Sequence, residues 1–275
     1  MKSWKNLPKR IAYQLLKRSK PLTEAEVIPV LCYHAIDDHR VPTSTAPAKF
    51  RRQINLLKAK GYNTVSIKSI LDKLKSGATI SPNPVVIMFD DGFKSVYTTA
   101  QPILAEAGYT GSVAVVTDLC AGKIGTSALG GDVPPSEILA FTDLRHMAEL
   151  GVEICSHSVS HSSLIRLNQQ QAWLELSGSK DALEDALGQR VDVFVYPFGE
   201  YSEGVIRLAE RAGYEGACTI DAGNVRPGDN IFKLRRTCIR WDTPDALFEA
   251  SLTPAFNYYA SASGFLSRRR TITKS

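Results

Sequence analysis

Short runs of β-branched and aromatic residues alternate along the chain with stretches whose apolar residues recur every three or four positions. The runs at 27–33, 64–67, 85–89, 112–117, 152–156, 191–196, 216–220 and 234–239 predict strands. Phe50, Ile54 and Leu57 fall at i, i+4 and i+7 and predict a helix that ends at Gly61. Further helices are expected from about Lys94 to Ala107, from Thr142 as N-cap to Gly151, from about Gln169 to Leu187, and up to Gly213, with Gly108 and Gly188 closing the first and third of these. Val85-Val86-Ile87-Met88-Phe89 is apolar at every position rather than at alternate ones, the pattern of a strand covered on both faces. Alternating βα units with such strands imply a parallel sheet, either closed as a barrel or open and doubly wound. Both place a site at the C-terminal ends of the strands. Residues 118–141, rich in Gly, Ser and Pro, predict a rim loop over that site.

Composition narrows this picture. The chain has 275 residues, 44% of them hydrophobic and 22% charged, enough for one sizeable core. No apolar run reaches the roughly 20 residues of a membrane span. The net charge of +5 is unevenly placed: residues 1–20 hold seven Lys or Arg and residues 264–275 hold four, with no acid in either segment. Removing these eleven positive charges leaves −6 for residues 21–263, an acidic body that disfavours nucleic acid as a partner. The odd number of cysteines, five, with no Cys-x-x-Cys pair, argues against a disulfide scaffold. The N-terminus lacks the apolar core of a secretion signal, which implies a cytoplasmic location.

Three strand ends carry candidate chemistry. The run 85–89 ends in Asp90-Asp91-Gly92, where the strand gives way and adjacent carboxylates can converge as metal ligand and base; an Asx turn or helix cap would read the same way. After the run 152–156 comes His157-Ser158-Val159-Ser160-His161, two imidazoles four apart that can meet one metal or simply decorate a polar loop. With an upstream aspartate they form a two-histidine, one-carboxylate set with open metal positions. Tyr196-Pro197-Phe198-Gly199 is either a strand-terminating turn or a rigid loop that aims the Phe198 N–H at developing negative charge. Cys155 shares the face of His157, though a core role suits it better, as it suits Trp173 and Trp241 over sugar stacking.

Taken in order, Phe-Asp-Asp-Gly, Ser-His-Ser-x-x-His and Tyr-Pro-Phe-Gly resemble the motifs of the polysaccharide deacetylase family, carbohydrate esterase family 4. The resemblance covers roughly residues 27–240. It implies an α/β fold, a distorted (β/α) barrel of about seven parallel strands, binding one divalent metal, often zinc, and removing acetyl groups from N-acetylated sugars. Carried over, Asp91, His157 and His161 would be the metal ligands, Asp90 the general base, and Phe198 an oxyanion donor. Many members take their general acid from a histidine near the C-terminus, yet no histidine follows His161. Leu31-Cys32-Tyr33-His34 resembles the N-terminal Tyr-His motif of the poly-N-acetylglucosamine deacetylase branch, which makes His34 the candidate acid. A second departure is Val195, where many members carry an arginine that orients the base.

The expected organisation is a basic arm over 1–26, a catalytic domain over 27–252 and a basic tail over 253–275. A helix starting near Pro8 would gather Ile11, Ala12, Leu15 and Leu16 into one stripe, so residues 1–20 could meet an anionic membrane surface or remain a solvated arm. Two other functions stay open: a silent relative that binds glycan without turnover, and a metal amidohydrolase acting on a small non-sugar amide.

Overall fold

The computed structural model describes residues 27–260 apart from 131, 132, 134 and 135. The basic arm and the segment near Pro8 lie outside the described residues, as do residues 261–275.

The strand residues divide by parity. Val86 and Met88 of β3 (Pro84–Phe89) join Val30, Ala114, Cys155, Val193, Val195, Cys218 and Leu234 in one buried cluster, while Val85, Ile87 and Phe89 belong to a second, larger one. The first lines the inside of a curved sheet and the second fills the layer between sheet and helices. This double covering is why β3 is apolar at every position. Each fully buried aliphatic side chain contributes roughly 1.5–3 kcal/mol, so both layers favour one register, and a slip of one residue would exchange them.

The elements run β1 (Val30–Tyr33), α1 (Pro47–Ala59), β2 (Asn63–Thr64), α2 (Ile67–Ser76), β3, and α3 (Gln101–Ala107), which is entered through a π-helical turn, Val96–Ala100. Then come β4 (Ser112–Val115), α4 (Phe141–Glu149), β5 (Glu153–Ser156), α5 (Gln169–Leu187), β6 (Val193–Val195), α6 (Glu203–Arg211), β7 (Gly216–Cys218), β8 (Thr237–Cys238) and α7 (Asp245–Ser251). Seven strands follow one another in the order β7-β6-β5-β4-β3-β1-β8, and β2 pairs with the first residues of β3; every pairing is parallel. Leu234 bridges to Cys218 of β7, and three residues later Thr237 pairs with Leu31 of β1, so one irregular segment joins the two ends of the sheet. The expected distorted barrel of about seven strands is the fold. No helix among the described residues is long and apolar enough to cross a membrane.

Several boundaries differ from expectation. Ile67 opens a helix instead of ending a strand, because the Ser66 hydroxyl caps it, accepting from Ser69 N, and Gly77 closes it in the left-handed conformation. The expected strand 234–239 shortens to Thr237–Cys238, since Arg236 N turns aside to Asp221 O at 3.1 Å. α4 starts at Phe141, ahead of the expected cap Thr142, because Asp143 takes the Ala140 N–H at 2.8 Å. Residues 253–260 pack on the body, with Phe256 buried.

α2 plugs the bottom of the barrel. Its Ile67, Ile70 and Leu71 belong to the inner cluster, and its first two amides donate to the Glu153 carboxylate, each at 2.8 Å. Gly216 of β7 sits where the plug touches the wall: a Cβ there would overlap Leu71 and come within 2.7 Å of Ile231 O.

Candidate functional site

The parity that builds the core also places the polar residues. The inward positions of β3 read Val86, Met88, then Asp90; those of β5 read Glu153, Cys155, then His157; β1 continues Val30, Cys32, then His34. At the C-terminal end each series leaves the apolar interior with a side chain that can bind or move a proton, and all meet at the barrel mouth. Asp90, Asp91, His157 and His161 are buried, and His34 is half-buried.

Asp91 escapes the strand alternation because its φ is +73°, with Gly92 following at +80°. This turn swings its carboxylate onto the same side as Asp90. Its Oδ1 lies 3.5 Å from His157 Nε2 and 3.6 Å from His161 Nε2. His157 Nδ1 donates to Val195 O at 2.8 Å, which orients the ring with Nε2 toward Asp91. His161 also has a positive φ, +62°, and its Nδ1 is buried without a partner. Asp91, Ser158, His161 and Phe198 are four of six non-glycine residues with positive φ among those described, a concentration of backbone strain typical of a functional site.

The donor atoms of Asp91, His157 and His161 lie within 4.8 Å of one another. One carboxylate and two imidazoles suit a divalent ion such as zinc, with coordination positions left open, and the 3.5 Å spacings match donors around a common centre. Burial, then the neighbouring His157, pushes His161 down to about 4, so it is neutral and able to ligate at neutral pH. Burial works against Asp91 as well, but its hydrogen bond to His157 and the surrounding imidazoles hold the carboxyl below its ordinary range.

Asp90 is held separately. Its Oδ1 accepts from Arg236 Nη1 at 2.7 Å and its Oδ2 from the Cys32 thiol at 3.4 Å. Burial raises the Asp90 carboxyl, yet the Arg236 guanidinium, followed by His157, outweighs it and keeps the group far below the usual carboxylate range. Arg236 is fully buried, anchored through Nε to Thr219 O at 2.8 Å. Arg236 stands in none of the sequence motifs, and the position where many members carry an orienting arginine is Val195. Val195 instead supplies a carbonyl to His157, and the cation reaches Asp90 from the segment that closes the barrel. The signal was present: an arginine at an inward position of a predicted strand, Leu234-Arg235-Arg236-Thr237, needs a buried partner.

The Tyr196-Pro197-Phe198-Gly199 turn lies over the histidines. Phe198 has φ +57°, and its ring meets His161 edge-on, the centroids 4.6 Å apart. The predicted rim loop does reach this region. Leu139 N donates to Gly92 O at 2.8 Å, Phe93 bridges Ile138, and Gly130 faces the Phe198 ring.

A family model described as polysaccharide deacetylase matches residues 77–217. The chain belongs to the polysaccharide deacetylase family. The matched segment holds Asp90, Asp91, His157, His161 and Phe198, while His34 and Arg236 lie outside it. The chain is 27% identical over 224 residues to "Putative polysaccharide deacetylase YxkH" of Bacillus subtilis, covering 80% of this chain and 73% of that protein. It is 26% identical over 229 residues to poly-beta-1,6-N-acetyl-D-glucosamine N-deacetylase of Escherichia coli, covering 69% of this chain but only 34% of that protein's length. Among solved structures, the Streptococcus pyogenes deacetylase PplD superposes with a TM-score of 0.74 at 23% identity, over 83% of this chain and 99% of that one. BC0361, a polysaccharide deacetylase from Bacillus cereus, gives 0.68 at 25% identity, over 83% and 69%.

Proposed function

We propose that this polysaccharide deacetylase is a metal-dependent hydrolase that removes acetyl groups from N-acetylated sugars of a poly- or oligosaccharide or of a lipid-linked glycan. The observation that carries this reading is the separation of two aspartates at one mouth: Asp91 faces two imidazoles, while Asp90 faces a buried guanidinium and is kept ionised. In the proposed assignment Asp91, His157 and His161 hold one divalent ion. When bound, the ion supplies Lewis acidity for the acetyl carbonyl and eases deprotonation of water.

Asp90, oriented by Arg236, takes a proton as water adds to the acetyl carbon. The Phe198 N–H receives the negative charge that develops on the acetyl oxygen, a kind of contact worth about 3–4 kcal/mol when a donor is well placed. His34 then protonates the amine as the carbon–nitrogen bond breaks, and acetate and a free amino sugar leave. His34 suits this role because, as the half-buried member of the cluster, it can reach both the pocket and solvent. Phe198 and Trp241, 45% and 44% exposed, offer apolar faces to a sugar ring. The similarity to the Escherichia coli enzyme supports N-acetylglucosamine polymers as the substrate class.

The test is metal content of the purified protein together with acetate release from N-acetylglucosamine oligomers, with and without chelator. One equivalent of metal and chelator-sensitive release is expected. Metal without release from these oligomers, but with release from simple acetamides, would replace the sugar reading with the amidohydrolase one. A protein that cannot be loaded would overturn the site.

A further inference from the structure

A second group of donors lies on the other side of Asp90. The donor atoms of Cys32, His34 and Asp90 are within 4.8 Å of one another. Cys32 Sγ is 3.4 Å from Asp90 Oδ2, close to the roughly 3.5 Å between a sulfur and an oxygen that share one tetrahedral zinc. Across the ladder between β1 and β8, Cys238 is the direct partner of Cys32, so both thiols point inward at one level. Cys238 is partly accessible, unlike the other four cysteines, which are buried. Arg236 engages Asp90 through Oδ1 and leaves Oδ2 on the cysteine side.

We propose that Cys32, His34 and Asp90 form a second cation site, distinct from the Asp91, His157 and His161 group, for a thiophilic divalent ion such as zinc in excess or cadmium, with the thiol of Cys238 turning in beside Cys32 as fourth donor when the ion binds. Two thiolates, an imidazole and a carboxylate are a soft donor set, which selects these ions over magnesium or calcium. The exchange is electroneutral: the S–H bonds of Cys32 and Cys238 are replaced by two metal–sulfur bonds, and two protons leave to solvent. Arg236 and Asp90 keep their pairing, so no buried charge is left uncompensated. Occupation would also immobilise the proposed base and acid together and stop turnover. That consequence rests on the functional reading above, whereas the site itself does not.

Cadmium alone is the probe, titrated into the full-length chain. Two equivalents should bind, one of them with an ultraviolet thiolate-to-cadmium charge-transfer band. In the unaltered protein, iodoacetamide labelling of Cys238, mapped by peptide mass spectrometry, should slow about tenfold at cadmium ten times its dissociation constant. The double variant C32S/C238S should lose the band and one equivalent, while His157→Ala should keep the band and lose the other equivalent. A band that persists in the double variant, or unchanged labelling of Cys238, overturns the site. Deacetylation followed along the same titration separates the two ideas. Activity that falls with the band supports both, and a band with activity intact keeps the site but overturns Asp90 and His34 as base and acid.

Discussion

Both ends of this barrel hold a carboxylate at an inward position, and they use it in opposite ways. At the bottom, Glu153 accepts two amide N–H groups from the start of α2 and the Ser112 hydroxyl at 2.5 Å. Burial dominates there and raises its carboxyl above the ordinary range. At the mouth, Asp90 faces a full positive charge, and its carboxyl is driven down. Neutral donors from the backbone tie an element in place and tolerate a proton on the acid. A buried guanidinium instead keeps the carboxylate charged, as the base role proposed for Asp90 requires. The bottom is also fully capped by the α2 plug, whereas the mouth leaves Arg236 Nη2 and His161 Nδ1 buried without partners. Unsatisfied polar atoms are costly, and these two belong to residues that contact Asp90 and Asp91.

The largest effect that would break this contrast is on turnover. Asp90→Asn should lower kcat by about 10²–10⁴-fold with metal content unchanged, as removal of a general base does. Metal analysis beside acetate release checks it, and full activity of the variant would end the assignment of the mouth as the working end. Next comes Arg236→Met, which strands a buried carboxylate and should cost about 3–5 kcal/mol in denaturant unfolding. Asp90 is depressed in the folded protein, so the pair stabilises above the ordinary aspartate range and this contribution is lost as pH falls through the folded value. Without the guanidinium the carboxyl rises, and the acid limb of kcat/KM should move to higher pH. Arg236→Lys should restore part of both.

At the other end, Glu153→Gln sets an amide donor against donors and should cost about 1–3 kcal/mol, with deacetylation per folded molecule unchanged. The sign of its pH dependence is opposite to that of Asp90. Because the folded carboxyl is raised, its contribution is complete below the ordinary glutamate range and declines as pH rises through the folded value. The gap in Tm between native protein and variant should therefore narrow with rising pH across that window, and a widening gap would contradict the account. Smallest is Ser66→Ala, which removes the cap of the plug helix for about 1 kcal/mol, read by thermal melting, with no change in kcat/KM.

Much of the fold was legible because its elements are locally coded. α5 runs from Gln169 to Leu187 as expected, since Asn168 and Gln171 cap it reciprocally and Gly188 ends it in the left-handed conformation. α2 was mistaken for the end of a strand because Thr64, Val65 and Ile67 are β-branched, and propensity outweighed a cap at Ser66 and the helical spacing of Ile67, Ile70, Leu71 and Leu74. Among the proposed site residues, Asp90, Asp91, His157, His161 and Phe198 follow strands in short motifs, each ambiguous when read alone, and the resemblance of the three motifs in order is what named them. Arg236 could not, because its partner is 146 positions away and no local pattern records the pairing.

What the sequence determined by itself is the alternation: which positions face inward, and which polar residues follow the ends of β1, β3 and β5. Those follow from period and punctuation, which act over a few residues. What only the tertiary structure decided is which ends meet. Closure of the barrel through 234–238 brings Arg236 and Cys238 beside Cys32 and His34, at the end of β1, and Asp90, just past β3. The charge state of Asp90 depends on that closure, because Coulomb energy depends on distance in space and not on distance along the chain.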